Sequence, residues 1–122
     1  MIEAHKALAH YNRAWNEMDP TKIRGHLERC CAPDVLFIDP LHTTRNIDEL
    51  EAMMVIARAE RPTATNHSIS GIDGHNLRYR YLWRVSDEGK SLVDGMDVTT
   101  LNEQGQIVQI DGFFGPIPKK EA

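Results

Sequence analysis

Little in this sequence announces a function, and what is scarce removes whole classes of protein. There are two cysteines, Cys30 and Cys31, and they are adjacent. Neighbouring cysteines rarely meet disulfide geometry with each other, so no disulfide framework is available. No apolar run is long enough to cross a membrane, and Met1 to Lys6 lack the apolar stretch of a secretory leader. A reducing, cytoplasmic setting is therefore expected. Basic charge is not in excess: the formal net charge is -4. That speaks against nucleic acid, whose phosphates are neutralised by Lys and Arg. No glycine-rich loop leads a strand into a helix, and no His-Glu-x-x-His or paired-cysteine zinc pattern occurs. His5, His10, His26 and His75 show no ligand spacing. Neither a metal nor another cofactor is expected.

What is present reads as one globular domain spanning residues 1–122. The length suits a single core, and 41% hydrophobic with 26% charged residues is ordinary for a folded chain. Ala4, Ala7, Leu8, Tyr11, Ala14, Trp15 and Met18 follow the three-and-four spacing of an amphipathic helix. Asp19-Pro20 stops it and starts another, in which Ile23, Leu27 and Cys30 or Cys31 continue an apolar stripe up to Pro33. Val35–Ile38 reads as a short buried strand ending at Asp39-Pro40. Asn46 and Glu49 form a capping box for a third helix with Ile47, Leu50, Met54 and Ala57 on its inner face. Pro62 lies just past its end. The second half switches to strands: His67–Ser70, Leu77–Val85, Leu92–Leu101 and Ile107–Phe114. Helices first and an antiparallel meander after is an α+β arrangement. Gly95 and Gly112 fall inside strand patterns, where glycine often marks a bend. A bent sheet wrapping three helices would enclose a cone-shaped cavity, including Trp15, Ile38 and Phe114 in its wall, and such a cavity is the default ligand site.

Tyr11, the Val35–Pro40 strand ending in Asp-Pro, the helix after Asn46, Gly95-Met96-Asp97-Val98, Gly105-Gln106-Ile107 and Phe113-Phe114 together resemble the nuclear transport factor 2-like superfamily. The resemblance runs from about Ala4 to Gly115 and implies a cone-shaped α+β barrel, its helices packed into a strongly curved antiparallel sheet. Many members are homodimers. Ketosteroid isomerase, one member, works with an Asp base and an oxyanion hole of one Tyr and one protonated Asp. By that likeness Asp39 corresponds to the base, Tyr11 and Asp97 to the oxyanion hole, and Phe114 to a pocket aromatic. His42, His67 and Arg80 add polarity that a steroid pocket does not want, which is closer to the SnoaL-like branch.

Read from the residues alone, each candidate has two meanings. Asp39 is either a carboxylate at the mouth of an apolar cavity, suited to general base work, or the cap of an Asp-Pro turn. A base would take few bonds from backbone amides; a cap would take them from amides just downstream. Asp97 interrupts a strand and wants a reason for being there. If Glu88-Gly89 is a two-residue turn pairing Asp87 with Lys90, counting outward sets Arg80 opposite Asp97 as an ion pair. The same count puts Tyr79, Tyr81, Trp83, Met96 and Val98 on an outer face too apolar for water, which implies a homodimer through the sheet. Tyr11 and Trp15 share a helix face, as core or as cavity wall. The expected function is a pocket for a small, apolar, oxygenated molecule. Asp39, Tyr11 and Asp97 would do proton transfer next to a carbonyl, as in an isomerase or cyclase. Trp15, His42, His67, Arg80 and Phe114 would bind substrate. The alternative is a non-catalytic ligand-binding or accessory dimeric domain.

Overall fold

Helix α1 (Ile2–Asn16) buries Ala4, Ala7, Leu8, Tyr11 and Ala14, the stripe that three-and-four spacing demands. The computed structural model describes residues 2–121. Asp19 then accepts a bond from the Thr21 amide at 3.0 Å, with Pro20 opening a single 3-10 turn, Pro20–Lys22. The chain passes straight into α2 (Ile23–Glu28), which buries Ile23 and Leu27. Arg24 on α2 reaches Asp48 and Glu51 and so ties α2 to the third helix.

Strand β1 runs Cys31–Ile38, so Cys31 starts a strand and not a helical turn. Its alternation buries Val35 and Phe37 and turns Ile38 outward at 39% exposure. Phe37, not Ile38, is therefore the residue that reaches the interior. A short β2 (Thr43–Thr44) folds back on it. Helix α3 (Ile47–Glu60) is capped by Asn46, whose side chain accepts from the Glu49 amide at 2.8 Å. Glu49 reaches back to the amide of Arg45, at 2.9 Å, rather than to that of Asn46, a capping box displaced by one residue.

The remaining strands are β3 (Thr65–Ser68), β4 (Asp73–His75), β5 (Arg78–Asp87), β6 (Lys90–Leu101) and β7 (Ile107–Phe114). The sheet order is β2-β1-β7-β6-β5-β3, with β4 also on β5. The sheet is curved and not closed, and it is mixed: β1 lies parallel to β7, the other pairs antiparallel. A purely antiparallel sheet was the expectation. The parallel pair arises because everything from β2 to β6 intervenes between two strands that end side by side.

The β5–β6 hairpin decides which side chains enter the interior. Glu88 and Gly89 both have positive φ, and Asp87 pairs with Lys90, the two-residue turn expected. Ser86 then pairs with Ser91, but Val85 pairs with Val93, which leaves Leu92 as an extra residue on β6. This bulge shifts the register by one. Tyr81, not Arg80, stands opposite Asp97, and Trp83 stands opposite Gly95. Tyr79, Tyr81 and Trp83 consequently face the core, with Asp97 and Thr99. The expected aromatic outer face does not exist; the outer face carries Arg80, Leu82, Met96 and Val98 instead. Without the bulge, the aromatic side of β5 and the Gly95–Leu101 side of β6 would point in opposite directions. Burying three aromatic rings, at about 1.5–3 kcal/mol for each large side chain, outweighs one unpaired residue.

Candidate functional site

Helices α1 and α3, the end of β1 and the inner face of β5–β7 enclose a cavity of about 380 Å³. One wall is aromatic and helical: Tyr11 meets Trp15 edge-on at 6.4 Å, and Trp15 tilts against Phe37 at 6.3 Å. The facing wall is Trp83, met edge-on by Phe114 at 5.9 Å. Met53 and Met54 of α3 complete the apolar lining.

Asp97 enters this cavity from β6 and is 7% exposed. Its two oxygens have different partners. Trp83 Nε1 donates to Oδ1 at 2.9 Å, and the Tyr81 hydroxyl donates to Oδ2 at 3.1 Å. Among the described residues no Lys or Arg forms an ion pair with it. Burial pushes its carboxyl up to about 6; the Trp83 and Tyr81 donors pull against that, and the negative charge of Asp39 adds to it. Trp83 reaches Asp97 across Gly95, whose missing side chain leaves room for the ring. A Cβ there would come within 2.2 Å of the ring and 2.4 Å of the Phe113 carbonyl oxygen.

Asp39 closes β1 and also lines the cavity. It flanks Gly112 on one side as Asp97 does on the other: a Cβ at 112 would sit 3.2 Å from both Asp39 Cβ and Asp97 Oδ1. Asp39 Oδ1 accepts from the amides of Leu41 and His42 at 2.9 and 2.8 Å, and His42 Nδ1 lies 3.2 Å away. These are the downstream amides of a turn cap, so the condition set for an unanchored base is not met. All three contacts fall on Oδ1; Oδ2 has no hydrogen bond among the described residues.

The Tyr11 hydroxyl is buried and has no hydrogen-bond partner among the described residues. Burial first, and the Asp97 charge second, hold its phenol well above the usual tyrosine range. The donor is thus intact at any ordinary pH. Arg58 also lines the cavity; its two terminal nitrogens donate to the carbonyls of Trp15, Arg61, Pro62 and Ala64, while its Nε is buried with no hydrogen-bond partner among the described residues. It closes the C-terminal ends of α1 and α3 on each other. Among the described residues no three His, Cys, Asp or Glu side chains gather where a metal could sit.

A family model for the SnoaL-like domain matches residues 8–110. The chain belongs to the SnoaL-like domain family. Among solved structures, a candidate isomerase of the SnoaL-like family from Agrobacterium tumefaciens is 28% identical, covering 95% of this chain and 100% of its own, with a TM-score of 0.88. Two others share the fold alone. A candidate SnoaL-like polyketide cyclase from Jannaschia is 13% identical, covering 90% of this chain and 85% of its own at a TM-score of 0.68. A protein of unknown function from Exiguobacterium, of the nuclear transport factor 2-like type, is 16% identical, covering 91% and 99% at a TM-score of 0.75. No curated protein matches the sequence.

Of the eight residues expected in the site of this SnoaL-like domain, six line the cavity: Tyr11, Trp15, Asp39, His42, Asp97 and Phe114. Two do not. Arg80 stands on the outer face, its side chain 65% exposed and bonded to Asp73 at 2.8 Å, so the Arg80–Asp97 pair is absent. His67 is exposed opposite Arg84; Thr65 and Asn66 are the β3 residues that line the cavity. The Arg80 position is a matter of parity and follows from the bulge; on β3 it is the start of the strand, before His67, that meets the cavity. Trp83 is the main omission, since a tryptophan in a strand reads first as core. The signal was Gly95: a glycine inside a buried strand face makes room for a large ring from the next strand.

Proposed function

We propose that the cavity is a proton-transfer site for a small, largely apolar carbonyl compound, as in an isomerase or cyclase that works without a cofactor. Asp97 carries this reading. It is a buried carboxyl at the cavity wall, held by two donors, with its acidity moved to about 6 and no Lys or Arg paired with it among the described residues. A group poised near neutral pH both takes and returns a proton efficiently. Two carboxyls with different surroundings across one glycine also suit an acid–base division of labour. Asp39, anchored through Oδ1, offers Oδ2 as the second carboxylate. Tyr11 has an O–H in need of an acceptor, which a carbonyl oxygen supplies. The proton-carrying role passes from Asp39 to Asp97, because the Asp39 bonds are those of a turn cap. Two carboxylates face the cavity and, among the described residues, neither is ion-paired to a Lys or Arg, which favours a neutral substrate over an anionic one. The isomerase and cyclase names given to relatives agree with this reading.

The test is hydrogen–deuterium exchange of cyclic enones and other enolisable carbonyl compounds in deuterated water. Asp97→Asn is expected to lower exchange by on the order of a hundred- to ten-thousand-fold, and Asp39→Asn by less. Exchange that survives Asp97→Asn removes Asp97 from the mechanism. No exchange with any compound leaves the non-catalytic binding domain as the function.

We also propose a homodimer through the outer sheet face and a cytoplasmic setting, the latter supported by two free, buried thiols. Leu82, Met96 and Phe113 form one cross-strand apolar row there, with Leu82 45% and Phe113 55% exposed. Residues of both signs border the row, Arg80 and Asp111 on one side, Arg84 and Asp94 on the other. A second copy of the same face meets the row with like apolar surface and with charges of either sign.

A further inference from the structure

We infer that Trp83 decides which oxygen of Asp97 carries the proton: it keeps Oδ1 bare and leaves Oδ2, the oxygen beside Tyr81, as the seat. This rests on Asp97 as the proton carrier and assigns Trp83 and Tyr81 as its positioning residues.

The argument is one of donor inventory. An indole N–H donates and never accepts, whereas a phenol does either. With Asp97 ionised, Trp83 donates to Oδ1 at 2.9 Å and Tyr81 to Oδ2 at 3.1 Å, and both oxygens are satisfied. A proton added to Oδ1 would face the indole N–H, and a buried bond would be lost with nothing to replace it. A proton added to Oδ2 asks only that the Tyr81 hydroxyl turn and accept. The Trp83 bond survives that change. Asp39 offers Oδ1 no alternative, since no hydrogen bond joins the two aspartates among the described residues. Trp83 has no freedom to step aside: its ring is seated on Gly95 and held edge-on by Phe114. The titratable groups facing Asp97 are Asp39 from the end of β1, Tyr81 from β5 and Tyr11 from α1. Of these only Tyr81 is bonded to it. Each proton that Asp97 gains or loses therefore passes at Oδ2 and reverses one hydrogen bond, that of Tyr81.

The experiment needs no substrate. In isotopically labelled protein, the Asp97 side-chain carbonyl carbon and the Trp83 indole N–H are followed by NMR across pH. The chain has two tryptophans, so Trp83→Phe assigns the indole signal. The indole hydrogen is expected to stay bonded and slow to exchange on both sides of the Asp97 titration. Trp83→Phe should move the Asp97 midpoint up by about one pH unit, because the indole bonds to both forms but more strongly to the charged one. Tyr81→Phe should move it up by less, because the phenol exchanges its donor bond to the charged form for an acceptor bond from the acid O–H, whereas the indole only donates. Release of the indole at low pH overturns the inference, as does a Tyr81→Phe shift equal to or larger than that of Trp83→Phe. The indole measurement uses the wild-type protein, so a Trp83 variant that fails to fold does not remove the test. A chain with no exchange activity and this titration pattern would refute the proposed function and keep the inference.

Discussion

At the residue scale the molecule turns on a few close approaches. Asp97 is a buried acid whose carboxyl is raised from 3.8 to about 6 on folding, chiefly by desolvation. Between those values the folded state holds more protons than the unfolded one, so stability falls as pH rises through that window. Asp97→Asn keeps the shape and removes the charge. Its stability relative to wild type is thus expected to improve from about pH 4 to about pH 7 and to level off above, read by urea unfolding at each pH. A constant difference across pH would mean that Asp97 does not titrate in this range. Glu17, Asp19 and Asp94 are held below the usual carboxylate range by their hydrogen bonds and give the opposite slope at lower pH. The comparison of the two proteins cancels them. Gly95→Ala puts a Cβ into the Trp83 ring and the Phe113 carbonyl. One of these contacts is backbone, so the cost should reach the upper end of the about 1–3 kcal/mol typical of overpacking, measured by denaturant unfolding. An unchanged midpoint would show that the ring moves freely.

At the element scale, local chemistry places the helices and one irregularity orients the sheet. Asn46 caps α3 through the Glu49 amide, and α3 supplies Met53, Met54 and Arg58 to the cavity. Asn46→Ala is expected to cost about 1 kcal/mol, seen as a lower urea midpoint with an unchanged slope. A loss below a few tenths would mean that the displaced box through Glu49 and Arg45 suffices. Arg58 does for the other end of the helix what Asn46 does for the first, and ties it to the last turn of α1 through the Trp15 carbonyl. The bulge at Leu92 has no such local signature. It is legible only as a conflict: a two-residue turn and two strands whose buried faces then disagree.

At the scale of the whole molecule, the curved sheet has an inner face that holds the cavity and an outer face that is partly apolar. The proposed dimer is checked by light scattering at micromolar concentration. The wild type should have twice the monomer mass, and Phe113→Glu, which puts a charge on the most exposed residue of the apolar row, should be a monomer. A monomeric wild type would refute the interface. A Phe113→Glu dimer would place it elsewhere. No helix in the described residues is long and apolar enough to cross a membrane.

The sequence by itself determined the three helices and the main strands. Three-and-four spacing determined α1, Asp19-Pro20 the break before α2, and Asn46 the start of α3, because each depends on groups a few residues apart. Six of the eight candidate residues picked out by resemblance and pattern line one cavity. Only the tertiary structure decided three things. It made β1 parallel to β7, since the chain between them contains five strands' worth of folding that no local rule describes. It took Arg80 away from Asp97 and put Tyr81 and Trp83 there, since one bulged residue reverses the parity of everything beyond it. It chose the turn cap of the two readings open for Asp39, since the geometry of the Leu41 and His42 amides is set by the return of β2 onto β1. Residue type follows from the gene; which face a strand residue occupies follows from register, and register is settled by burial on the far side of the sheet.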